Sequence, residues 1–202
     1  MPNWRTHLEI SKELNKVLKY NEDDYRLFAF GSILPDINNG YLVPDVSKVI
    51  NHLITHFDLN GENNYMDFYN KYKNQIKDPL IFGYFTQIYT DHNWNQNFYR
   101  KVKDLRKTAE DRTQFRIAKQ SDFLVYNSKF MDNTIDITNI DKMLDESKKI
   151  EEIDITKEDI IKSKEFLDNQ KPYNAKMIYH TLEELDKLKE KTVQEIINNY
   201  IK

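Results

Sequence analysis

The sequence has no cysteine, which excludes disulfide scaffolds, thiolate-bound zinc, iron-sulfur clusters and thiol catalysis together. Any metal must sit on histidine, aspartate, glutamate or neutral oxygen. Glycine is scarce, at 4 in 202 residues, and proline numbers 5. β-rich chains of this length usually need more turn glycines, so the shortage points to helices. No apolar run approaches the roughly 20 residues that a bilayer-spanning helix requires. Charge of one sign is missing too: 30 basic side chains stand against 33 acidic ones. That balance argues against nucleic acid as a dedicated partner, which would call for a basic excess. The opening Met1-Pro2-Asn3-Trp4-Arg5-Thr6-His7 lacks the basic-then-apolar plan of a signal peptide, and the expectation is a soluble cytoplasmic protein.

What is present is a chain long enough to bury one full core. Of the 26 aromatic residues, 22 precede residue 131, and residues 101–202 carry 41 of the 63 charged side chains. The expectation is one all-α domain over residues 1–202. Residues 1–130 form an aromatic-rich core, and charged helices of residues 131–202 pack on it. Hydrophobic spacing predicts helices over Thr6–Tyr20, with Thr6 as N-cap, and Glu22–Phe30, with Gly31 just past the end. Pro35 discourages helix at Leu34. A third helix is expected from Asp45 through Val46, Val49, Ile50, Leu53, Ile54 and Phe57, then a polar loop over Asp58–Asn64 and a short helix over Tyr65–Ile76. Asp78-Pro79 starts a long central helix reaching about Arg106. Further helices are expected near 108–130, 138–150, 156–169 and 181–201, the last with a Thr181/Glu184 capping box.

Four groups of residues could carry chemistry. His52 and His56 lie four apart, so both imidazoles can project from one helix face, a common metal-ligand spacing and equally that of an ordinary polar pair. Gly83, Gln87 and Asp91 step by four along an otherwise apolar helix. A buried glycine there implies close approach of another backbone. A buried aspartate calls for a cation, a metal or several donors. Asp36 is fixed just after Pro35, a common turn arrangement. His7, taken alone, reads as a surface histidine.

Trp4-Arg5-Thr6-His7, Gly31-Ser32-Ile33-Leu34-Pro35-Asp36, Thr55-His56-Phe57 and Gly83 to Asp91 running on to Trp94 together resemble the zinc-dependent phospholipase C family, within the P1 nuclease fold group. The resemblance spans about residues 1–99. It implies an all-helical fold, with His7, Asp36, His56 and Asp91 as metal ligands, Asp91 bridging or anchoring, and hydrolysis of a phosphodiester by metal-activated water. One or two zinc ions, or another divalent metal, are expected, with His52 or Gln87 assisting. Asp91 and Gln87 are the candidate catalytic residues. Trp4, Trp94 and Arg100 are the candidates for contacting a small phosphodiester substrate.

The sequence departs from the family pattern in three places. The central-helix histidine of that pattern is Gln87 here, three residues precede Trp4 so that it offers no free amine, and the later His-x-x-x-Glu ligands are missing near Asp91. His92 points about 100° around the helix from Asp91. His180 and Glu184 have the spacing, but they lie far downstream where a surface helix start is the better reading. These departures keep open a second reading, a metal-poor relative that binds without catalysis. Eight basic residues between Arg100 and Lys119 either attract phosphate or an anionic surface, or form a solvated helix face.

Overall fold

The computed structural model describes residues 2–58, 64–103 and 109–201. They form ten α-helices and no strand: α1 Trp4–Leu18, α2 Glu22–Gly31, α3 Leu34–Ile37, α4 His52–Thr55, α5 Tyr65–Tyr72, α6 Pro79–Lys101, α7 Ala109–Asn127, α8 Ile140–Ser147, α9 Lys157–Asn169 and α10 Leu182–Ile196. The helices pack into one compact domain. No helix among the described residues is long and apolar enough to cross a membrane.

α6 is the central element. Asp78 caps it, accepting from the amides of Leu80 and Ile81 at 3.0 and 3.4 Å, and Pro79 follows where its missing N–H costs nothing. Every residue from Leu80 to Asp91 is buried. α2 packs on it most extensively, because both helices carry glycine at the crossing. A Cβ on Gly83 would collide with the Phe28 carbonyl, and one on Gly31 with that of Leu80. The close approach expected at Gly83 is therefore present, and Gly31 closes α2 rather than following it. The long helix ends at Lys101. Its expected extension to Arg106 and the start near 108 fall on residues 104–108, outside the described set, as do Leu59 to Asn63 of the expected polar loop.

Three local expectations fail for identifiable reasons. α1 begins at Trp4, so Thr6 lies inside its first turn, buried, instead of capping it. The side chain of Asn127 from α7 accepts from the Thr6 amide at 3.2 Å, doing from outside what a cap would do locally. Leu34 is helical after all, since Pro35 stands in the first turn of α3, where a proline fits.

The helix expected from Asp45 is reduced to the single turn α4. Asp45 takes a left-handed φ of 52°, which breaks a helix. The segment's backbone is claimed by side chains elsewhere: Asp159 accepts from the Ser47 amide at 2.7 Å, and Asn38 donates to the Lys48 carbonyl at 2.9 Å. Only its ends, Val46 and Phe57, pack against the core; Val49 is 69% exposed and Ile54 45%.

Beyond residue 130, buried Met143, Ile150, Ile160, Leu167, Leu185 and Ile196 seat the charged helices on the core. Arg5, buried in α1, donates to the main-chain carbonyls of Met131, Asn133 and Leu167 and fastens the two parts together. The capping box at Thr181 and Glu184 forms as expected.

Candidate metal centre

Four separate segments deliver polar side chains to one point. α1 brings Trp4 and His7, α3 brings Asp36, the residue closing α4 is His56, and α6 brings Gln87 and Asp91. All six are buried, with Asp36 3% exposed and the others fully covered. The Gly31–Gly83 contact sets α2, and hence the chain leading into α3, tightly on α6. The Tyr84 hydroxyl donates to the Thr55 carbonyl at 2.5 Å, anchoring α4 to the same helix.

Within the cluster, His7 Nε2 lies 3.3 Å from Asp91 Oδ1, His56 Nε2 3.3 Å from Asp36 Oδ1, and His56 Nε2 3.5 Å from Asp91 Oδ2. His7 Nε2 and Asp91 Oδ1 are close but make no hydrogen bond, and His7 Nδ1 has no partner either. Two ligand atoms about 2.0–2.1 Å from a tetrahedral ion are themselves about 3.3 Å apart, so these separations match the edges of a small coordination polyhedron. Uncompensated buried carboxylate oxygen is otherwise costly.

Gln87 occupies the middle. Its Nε2 donates to Asp91 Oδ2 at 3.0 Å and Asp36 Oδ2 at 3.3 Å, and stands 3.2 Å from His56 Nε2. Its Oε1 is buried without a partner. A half-turn of the carboxamide exchanges the two atoms and turns a donor into a neutral oxygen ligand.

The surrounding shell fixes the ligands. Trp4 Nε1 donates to Asp36 Oδ2 at 3.1 Å and Asn39 Nδ2 to Asp36 Oδ1 at 3.0 Å. Thr55 Oγ1 lies 2.9 Å from His56 Nδ1, directing Nε2 into the cluster. Burial opposes charge on Asp36 and Asp91, yet the imidazoles beside them hold both carboxyls below the ordinary range. Burial also works against a charged His56, but hydrogen bonds to the two carboxylates push it up to about 9.

His52 stacks on His56, ring centroids 3.7 Å apart, and is pushed down to about 4 by burial and by His56 next to it. A neutral imidazole is the form that binds metal. Asp36, His52 and His56 each present one ligand atom, all within 4.8 Å of one another, and this buried group could hold a metal ion. Asp36 and His52 also form one wall of a cavity of about 540 Å³, faced by Arg116 and Lys119 of α7. Lys119 is buried, donating to Asn95 Oδ1 at 2.9 Å and the Tyr99 hydroxyl at 3.4 Å. Two of the eight basic residues thus reach the mouth of the cluster.

The structure gathers His7, Asp36, His56, Gln87 and Asp91, sets His52 at the edge, and turns Trp4 into a donor to Asp36 instead of a wall for substrate. Trp94 and Arg100 lie elsewhere. Trp94 is fully buried against Phe123 and Tyr126, and Arg100 sits on the surface beside other cavities. His7 and His180 are buried, not surface histidines. His180 instead pairs with Asp122 of α7 at 3.2 Å. Asn39 and Thr55 went unread as site residues, although Asn39 follows Asp36 by three, a helical neighbour. Family models, curated proteins and solved structures alike return no match to this chain.

Proposed function

We propose that the chain is a metal-dependent hydrolase acting on a phosphodiester, with zinc held by His7, Asp36, His56 and Asp91. The observation that carries this reading is a buried cluster in which His7 meets Asp91 and His56 meets both Asp36 and Asp91 at 3.3–3.5 Å, and in which Asp36, His52 and His56 could hold a metal ion. The donor set suits zinc, which accepts imidazole and carboxylate. A bound divalent metal would supply Lewis acidity and lower the pKa of a water. Trp4 and Asn39 orient Asp36, Thr55 orients His56, and His52 stands where the cluster meets the cavity. Arg116 and Lys119 give that cavity a cationic wall suited to a phosphodiester anion.

A second reading has one specific support: the Gln87 amide already donates to both carboxylates from the middle of the cluster. In that case the fold binds or supports a partner without catalysis. The test is elemental analysis of the purified chain before and after zinc dialysis, followed by hydrolysis of bis(p-nitrophenyl) phosphate with and without chelator. Retention or uptake of one or two zinc equivalents and chelator-sensitive hydrolysis are expected. Zinc binding without hydrolysis overturns the catalytic part of the proposal, and a chain that holds no zinc, manganese or iron and takes none up overturns the metal site and supports the second, metal-poor reading.

A further inference from the structure

His52 opens α4 and His56 closes it, so a single helical turn carries both imidazoles. The turn is fixed at each end: Asn51 accepts from the Leu53 amide at 2.9 Å, and the His56 amide donates to the His52 carbonyl at 2.9 Å. The His52 ring stacks on that of His56 and lies 6.3 Å from the ring of Tyr41. Its Nδ1 is buried with no hydrogen-bond partner.

Two residues compete to complete a ligand set around Asp36 and His56. Gln87 turns its Nε2 toward Asp36 Oδ2 and Asp91 Oδ2, so in this orientation it offers the cluster hydrogen, not a lone pair. His52 offers an imidazole, a ligand well suited to zinc, and its ligand atom lies within 4.8 Å of those of Asp36 and His56. The two candidates also differ in access. Gln87 is fully covered, whereas His52 and Asp36 line the cavity of about 540 Å³ beside α7. An ion held on that side keeps a coordination position open to the cavity, as a catalytic zinc site requires.

We propose that His52, not Gln87, is the third protein ligand of a divalent metal ion held with Asp36 and His56 on the cavity side of the cluster. This ligand set rests on the metal dependence proposed for the cluster and adds His52 to it. The test compares the full native chain with His52→Ala and Gln87→Leu. Zinc affinity is measured by competition with a chromophoric chelator, the ring nitrogen resonances of His52 and His56 are followed during zinc titration, and circular dichroism in chelator checks that each variant is folded.

In the native chain, saturation with zinc should shift one His52 ring nitrogen about as far as Nε2 of His56. Loss of a ligand should cost at least what loss of an outer-shell partner does, about tenfold to 100-fold, so H52A should weaken zinc binding by about tenfold or more and Q87L by less. Full zinc affinity in folded H52A, His52 nitrogens that do not move at zinc saturation, or a greater loss in Q87L than in H52A overturns the assignment of His52 while leaving metal dependence standing. A native chain that takes up no zinc overturns both together.

Discussion

The molecule buries two histidine–carboxylate groups, and they are built on opposite principles. Asp122 is saturated: it accepts the amides of Ile178, Tyr179 and His180 at 2.6, 2.9 and 2.9 Å and faces the His180 imidazole. Those donors hold its carboxyl below the ordinary range in spite of burial. Asp91 has no backbone donor: Gln87 Nε2 at 3.0 Å and the imidazoles of His56 and His7 at 3.5 and 3.3 Å face it. A saturated carboxylate is a structural joint, tying α7 to the segment before α10. One faced by side chains alone, beside a second carboxylate and two histidines, belongs to a cluster in which Asp36, His52 and His56 could hold a metal ion. The difference separates a residue that holds the fold from one that the fold holds.

The largest expected effect is at the Asp91 cluster. Zinc at a free concentration 100-fold above its dissociation constant should stabilise the native chain by about 2.7 kcal/mol, and Asp91→Asn should remove most of that gain. Thermal denaturation with and without zinc measures it, and an undiminished gain in D91N would break the contrast.

Asp122→Asn should do the reverse, costing about 1–3 kcal/mol whether or not zinc is present, because three buried amides lose a charged acceptor. Its pH dependence sharpens the point. A carboxyl lowered in the folded state stabilises above its unfolded value of about 3.9 and loses that contribution as pH falls. The native chain should therefore weaken on acidification below about pH 4, and D122N should show a shallower acid limb in urea denaturation.

A smaller, positive effect is expected at the centre of the cluster. Gln87→His replaces a weak neutral ligand with imidazole and should tighten zinc binding about tenfold, read by competition with a chromophoric chelator. Unchanged affinity would mean that the surrounding ligands are not aligned for metal.

Much of the fold could be read because local signals agreed with tertiary need. Asp78-Pro79 opens α6, the Thr181 capping box opens α10, and Gly83 marks a helix crossing. The segment after Asp45 could not be read. Its apolar spacing resembles a helix, but Asn38 and Asp159, 112 residues beyond Ser47, compete for its backbone. The candidate site was legible in its residue types and not in its burial. Nothing local distinguishes His7 on a covered helix from a histidine facing water, and nothing near His180 announces Asp122.

By itself the sequence determined an all-helical, thiol-free chain, a central apolar helix carrying Gln87 and Asp91, and the absence of thiolate as a metal donor. Those follow from composition and from periodicities that act within a few turns of chain. The tertiary structure decided which histidines share a site, that Trp4 serves Asp36, and that Arg100 lies on the surface away from Asp91. Such choices depend on helix crossings and on side chains 20 or more residues apart meeting in space, and no local preference encodes them.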